Sequence, residues 1–168
     1  HNTLTEAEKN EGWKLLFDGE KPDNWRGYQK EHFPAAWIVE DGAIKIQGSG
    51  RGEEGAEDGG DILYDEKFSD FHFKVEWKVS KAGNAGIFYR GLELDKFDFI
   101  WKTAPEMQVL DNKNHPDAEK GQNGNRKAGS LYDLIPADPQ NAKPHGEWNR
   151  AEVIADGKDI YHIQNGDT

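Results

Sequence analysis

Between residues 70 and 79 apolar and polar side chains alternate without interruption. Phe71, Phe73, Val75, Trp77 and Val79 fall on one face of an extended chain, and His72, Lys74, Glu76 and Lys78 on the other, because successive strand side chains point to opposite sides. Such a strand covers a core with one face and meets solvent or ligand with the other. After a turn at Gly83-Asn84 the same period runs over 85–90, placing Ile87 and Tyr89 inward and Phe88 and Arg90 outward. Asp41-Gly42, between apolar segments 37–39 and 43–47, is a strong hairpin signal. Further strands are expected at 13–17, 106–111, 130–134, 147–155 and 159–164, with a helical turn confined to 5–10. The stretch 48–60, rich in Gly, Glu and Asp, reads as a surface loop, as do 113–127 and 136–146. Many short strands with turn signals between them, and no heptad pattern, predict an all-β fold: a β-sandwich of two antiparallel sheets.

The 168 residues suffice for one core, so residues 1–11 read as a flexible N-terminus and 12–168 as a single β-sandwich domain. The last strand runs into Asn165-Gly166, a hairpin turn with no returning strand, so the domain is expected to lack its C-terminal strands. A net charge of -11 argues against nucleic acid and against an anionic membrane surface as partners. No apolar run approaches the roughly 20 residues of a membrane span. The absence of cysteine excludes disulfides, thiolate zinc sites and a cysteine nucleophile. The chain opens on His1 rather than Met, which suggests an exported protein that has lost its leader.

Candidate chemistry concentrates in 104–115, Ala-Pro-Glu-Met-Gln-Val-Leu-Asp-Asn-Lys-Asn-His. Glu106 and Gln108 share one strand face and Met107 and Val109 the other. Asp111 falls on the wrong face unless a β-bulge between Gln108 and Asp111 returns it beside Glu106. Two converging carboxyls with an amide between them suit acid/base work on a sugar; a solvated strand edge is the equal alternative. Glu106, Asp111, Asn112 and His115 are also of the types that hold a divalent metal. Glu76 and Arg90, both facing outward, read either as sugar-binding groups or as a surface ion pair. Trp101 and Phe99, in a loop before Pro105, are better placed to stack on a sugar than Trp13, Trp37, Trp77 and Trp148, which read as core. Tyr132, beside Asp133, reads either as a phenolic donor at the site, the favoured reading, or as an anchored core tyrosine.

In order along the chain, Gly12-Trp13-Lys14-Leu15-Leu16-Phe17-Asp18-Gly19, Trp25, Gly60-Asp61-Ile62-Leu63, Glu76-Trp77-Lys78, Asn84-Ala85-Gly86-Ile87-Phe88-Tyr89-Arg90, Pro105-Glu106 to Asp111-Asn112, His115, Ala128-Gly129-Ser130-Leu131-Tyr132-Asp133-Leu134, Lys143-Pro144 and Gly146-Glu147-Trp148-Asn149 form a specific set. It resembles the 3-keto-disaccharide hydrolase family, long catalogued as a domain of unknown function, from about Gly12 to Gly166. The resemblance implies a concanavalin A-like jelly roll in exported bacterial proteins, many known only as glycosyl hydrolases by designation. It further implies a carbohydrate substrate already oxidised at C3, cleaved by lyase, hydratase or overall hydrolase chemistry. The sequence departs from the family in lacking a later Asp-His-Gly segment, in His145, and in the insertion at 48–60.

On such a substrate Glu106 would be the base that removes the C2 proton, and Asp111 or His115 the proton donor. Arg90 would hold the developing oxyanion, with Glu76, Gln108, Trp101 and Tyr132 lining the sugar; no cofactor is required, and a divalent metal, were one bound, would polarise the ketone. The competing reading is a non-catalytic, lectin-like carbohydrate-binding module on the same fold. Retaining hydrolysis as in laminarinase-like enzymes would need two Glu flanking an Asp. Here the equivalent positions are Glu106, Gln108 and Asp111, so the middle acid is missing.

Overall fold

The computed structural model describes residues 1–48 and 57–168, so most of the loop expected at 48–60 lies outside the described residues. The chain divides into two compact units, His1–Lys67 with Glu93–Phe99, and Phe68–Leu92 with Ile100–Thr168.

In the first unit a short helix α1, Glu6–Asn10, is nucleated by Thr5, whose hydroxyl accepts from Glu8 N–H while the Glu8 carboxylate accepts from Thr5 N–H. Two antiparallel ribbons follow, β1 (Trp25–Gly27) with β4 (Ile62–Tyr64), and β2 (Trp37–Glu40) with β3 (Ala43–Ile46). The β2–β3 turn has positive φ at both Asp41 (52°) and Gly42 (73°), which matches the right-handed twist of the flanking strands. The strand expected at 13–17 does not form: Trp13 N–H closes the end of α1 on Glu8 O, and Leu16 O is taken by the Trp25 indole at 2.8 Å. Asp58 gathers Lys30 Nζ (2.7 Å), His32 Nε2 (3.1 Å) and Ala35 N–H (2.8 Å), and Lys30 first among them holds its carboxyl well below the ordinary range. A two-pronged bond from Arg26 to Glu93 (2.8 and 2.6 Å) fixes the returning segment 93–99.

In the second unit β5 (Phe71–Trp77), β8 (Asn149–Asp156) and β9 (Asp159–Gln164) form one antiparallel sheet in the order β5-β8-β9, and β6 (Asn84–Phe88) pairs with β7 (Glu106–Leu110). The alternation read from the sequence sets the register: Phe71, Phe73, Val75 and Trp77 stand opposite Ala155, Val153, Ala151 and Asn149. Trp77, Tyr89, Met107, Val109, Leu110, Ala151 and Val153 are buried together, and Phe71, Val75 and Ile87 pack against them half-buried. Full burial of a side chain the size of Met107 contributes about 1.5–3 kcal/mol. Segment 130–134 is not a strand; Leu131 makes isolated bridges to Met107 and Ile135 and a tight turn carries Asp133 at φ 60°. With sheets all antiparallel and one five-residue α-helix among the described residues, the fold is all-β.

Candidate functional site

Glu106 opens β7 opposite Phe88, with Gly86 next along the same face of β6. The Glu106 side chain leans across Gly86: a Cβ there would lie 2.7 Å from Glu106 Cγ and would collide with the carboxylate. Only glycine lets the carboxylate lie flat on this face.

The backbone of Glu106 also fixes Tyr132, whose N–H donates to Glu106 O at 3.0 Å. The phenol donates to Asp117 Oδ2 at 2.9 Å. Asp117 is buried and sits on a single 3-10 turn, Pro116–Glu119. His115 caps that turn: its Nδ1 accepts from Asp117 N–H at 3.1 Å, and Pro116 follows where no backbone donor is needed. Arg126 Nη1 donates to Asp117 Oδ1 at 3.1 Å, while Nε and Nη2 clasp Asp133 at 2.8 and 3.0 Å. The guanidinium lies 5.2 Å from the centre of the Tyr132 ring. Burial, then the bond to Asp117 and the negative charges of Asp117 and Glu106, push the Tyr132 phenol up to about 12, against the pull of Arg126. Arg126 in turn holds the Asp133 carboxyl below its ordinary value. Tyr132, Asp117, Arg126 and Asp133 thus form one connected polar group, tied to β7 through the backbone carbonyl of Glu106.

Asp111 stands apart from this group. β6 and β7 pair residue for residue from Phe88–Glu106 to Asn84–Leu110, and Asp111 N–H continues the ladder onto Gly83 O at 3.0 Å. The expected bulge is absent, and the unbroken alternation leaves Asp111 on the opposite face from Glu106. Its carboxylate, 2 % exposed, accepts from Ala82 N–H (2.8 Å), Lys113 N–H (3.2 Å) and Asn114 Nδ2 (2.7 Å), with His145 Nδ1 at 3.2 Å. Burial alone would raise this carboxyl, but the donors led by Ala82 outweigh it and hold it below its ordinary value. The carboxyl pair drawn from the sequence does not assemble.

Other expected site residues are dispersed. Gln108 is 1 % exposed, its side-chain oxygen accepts from the N–H of Val109, and its backbone is bonded to Ser130 and Gly129, so it offers nothing to a ligand. Arg90, at φ 53°, reaches Gly157 O at 2.7 Å and stands 3.9 Å from Asp70. Asp70 precedes β5 and Glu76 lies near its end, about 20 Å away at the rise of a strand, so Arg90 and Glu76 do not meet. Trp101, 53 % exposed on the turn Ile100–Lys102, lies beside the Lys102 ammonium, which is 5.6 Å from its ring. The four proposed metal ligands do not converge: Asn112 Oδ1 accepts from Ala128 N–H at 2.8 Å, Asp111 is saturated, and His115 caps its turn. Among the described residues no three His, Asp or Glu are arranged to hold a metal ion.

Gly86, Asp117 and Arg126 escaped the sequence reading. A glycine inside an otherwise alternating strand marks a close approach, and His115-Pro116-Asp117 has the cap, proline and acid of a helical first turn. Arg126 carried no signal within its Lys/Asn/Gly-rich loop.

The chain is 49% identical to a 3-keto-disaccharide hydrolase of Bacteroides thetaiotaomicron, over 92% of this chain and 56% of that protein, so it spans little more than half its length. A crystal structure of a candidate glycosyl hydrolase from Parabacteroides distasonis superposes with a TM-score of 0.83 at 32% identity, covering 98% of this chain and 73% of that one. A second candidate glycosyl hydrolase from the same organism gives 0.63 at 27%, covering 90% and 61%. Residues 12–168 match the domain described as 3-keto-alpha-glucoside-1,2-lyase-like, and the chain belongs to that family.

Proposed function

We propose that the face carrying Glu106 and Tyr132 is the reaction centre of an enzyme that cleaves 3-keto-glycosides, on a concanavalin A-like jelly roll. The carrying observation is the placement of Glu106 across Gly86, next to the Tyr132–Asp117–Arg126 group. The family and the name of the Bacteroides relative supply the substrate class.

In a 3-keto sugar the C2 proton is acidic because its loss gives an enolate on the C3 oxygen. Glu106 takes that proton, the C3 oxygen carries the charge, and collapse of the enolate forms the C1–C2 double bond as the C1–O bond breaks. The departing oxygen takes a proton from the Glu106 carboxylic acid that the abstraction has formed, which restores the carboxylate. Addition of water across C1–C2 restores the 3-keto sugar, and the sum of the two steps is hydrolysis. Tyr132 positions the sugar, and Arg126, through Asp117, keeps the phenol in place. Asp111 has no part in this scheme, because every donor around it is already committed.

The test is turnover of 3-keto-trehalose against plain trehalose, with and without EDTA. Release of 3-keto-glucose and glucose from the ketone alone is the expected result. Inertness towards the ketone combined with measurable binding would favour a carbohydrate-binding module, and cleavage of plain trehalose would return the case to ordinary glycoside hydrolysis.

A further inference from the structure

The phenol of Tyr132 has one hydrogen to give and two lone pairs to receive with. Its hydrogen is spent on Asp117 Oδ2 at 2.9 Å. Turning the hydroxyl away would leave that oxygen of a buried carboxylate facing another oxygen with no proton between them, and bonds to charged acceptors are about twice as strong as neutral ones. Asp117 cannot turn to follow, because its other oxygen is held by Arg126 at 3.1 Å and its backbone N–H by His115 at 3.1 Å. Arg126 is itself locked by two bonds to Asp133. No further hydrogen bond to the phenol oxygen occurs among the described residues, so its lone pairs remain for a ligand.

We infer that Asp117 and Arg126 fix Tyr132 as a hydrogen-bond acceptor towards the substrate, so that the site selects a sugar presenting a hydroxyl, rather than a carbonyl or ether oxygen, to that phenol. This rests on the reading of the Glu106–Tyr132 face as the reaction centre. Tyr132 is then a specificity determinant and Asp117 its positioning residue. A site of fixed polarity discriminates strongly, since the wrong partner leaves two acceptors in contact.

The substitution Asp117→Asn makes the inference testable. Arg126 carries only donors, so the carbonyl of the introduced amide must face it and the amide NH₂ must face the phenol. The phenol then accepts from that NH₂ and its own hydrogen turns towards the ligand. Asp117→Asn inverts the polarity of Tyr132 while nearly conserving shape.

Two measurements decide the matter. The tyrosine Raman doublet of Tyr132, isolated by subtracting the spectrum of Tyr132→Phe, distinguishes a donating from an accepting phenol and needs no ligand. A donor pattern in the wild type and an acceptor pattern in Asp117→Asn are expected; an acceptor pattern in the wild type, or no change in the variant, overturns the inference. The second measurement is calorimetric titration with methyl 3-keto-α-glucoside and its 2-, 4- and 6-deoxyfluoro congeners, in protein carrying Glu106→Gln to prevent turnover. Fluorine keeps the volume but cannot donate. One congener should bind at least about ten-fold more weakly than the parent, and Asp117→Asn should abolish that difference. Should Asp117→Asn fail to fold, Tyr132→Phe must abolish it instead. An undiminished penalty in these variants, or no penalty in the parent protein, refutes the inference. If the parent ketone does not bind at all, the functional reading falls, and the Raman pattern still decides the polarity of Tyr132.

Discussion

β7 opens on one carboxylate, Glu106, and is followed directly by another, Asp111, and their surroundings differ sharply. At the first end Glu106 is half-buried, lies across a glycine, and neighbours a phenol held by an ion pair. At the other end Asp111 is buried and takes hydrogen bonds from two backbone N–H groups and an amide. Those donors belong to the 80–83 turn and to the 111–115 turn, so Asp111 joins two loops that β7 alone would leave loose. A carboxylate whose lone pairs are filled by local donors stabilises a fold and has no capacity left for proton transfer. If the proposed function holds, two acids of the same chemistry, five positions apart along the chain, are divided between chemistry and architecture by the face on which they emerge.

Substitution should separate the two functions cleanly. Glu106→Gln removes the base and keeps the shape, so turnover of a 3-keto-glycoside should fall about 10²–10⁴-fold with an unchanged melting temperature. Wild-type turnover in this variant would end the assignment. Asp111→Ala should do the reverse: it leaves the donors of Ala82, Lys113 and Asn114 without the carboxylate that joins their two turns, and a loss of about 1–3 kcal/mol in urea unfolding is expected, with turnover per folded molecule retained. A stable Asp111→Ala protein without activity would break the comparison. Gly86→Ala is milder. The added methyl must displace the Glu106 side chain, so roughly ten-fold slower turnover should accompany little change in stability, as a misplaced catalytic group costs rate before it costs fold.

Where the pattern of side chains is periodic, the sequence was easy to read. The Phe71–Trp77 alternation and the Asp41-Gly42 turn are written in residues next to each other, and both are found as expected. The failures have one physical origin, long-range competition for backbone and side-chain bonds. Residues 13–17 have strand composition, yet a tryptophan indole occupies a carbonyl that a neighbouring strand would need. A bulge at Asp111 would bring two acids together, but the Ser80–Gly83 turn offers Asp111 better partners on the face where regular pairing already puts it. Arg126 and Asp117 come from a loop without periodicity, and only the three-dimensional position of Tyr132 gives them meaning.

The smallest expected effect concerns acid stability, and it again sets a buried group against its neighbours. His162, half-buried on β9, places Nδ1 3.2 Å from Gly129 O and Nε2 3.0 Å from the Tyr89 hydroxyl. A carbonyl only accepts, so Nδ1 carries the hydrogen, and Nε2 must accept from Tyr89; the neutral ring satisfies both bonds. Burial lowers the pKa of His162 below the ordinary 6.5, partly opposed by the bond to Gly129. Its folded-state pKa is depressed, so its contribution to stability is fully present above pH 6.5 and declines as the pH falls through the folded value, because the unfolded chain takes up the proton first. Asp111 follows the same sign at lower pH: its contribution is present above 3.8 and is lost as the pH falls through its depressed folded value. Unfolding free energy should therefore decline in two stages, a shallow one beginning near pH 6.5 and a steeper one below 3.8. His162→Gln should flatten the first without moving the second, and Asp111→Ala should lessen the second, to which Asp58 and Asp133 also contribute, without touching the first. A first stage that survives His162→Gln would assign it to another histidine and release Tyr89 from any part in acid sensitivity.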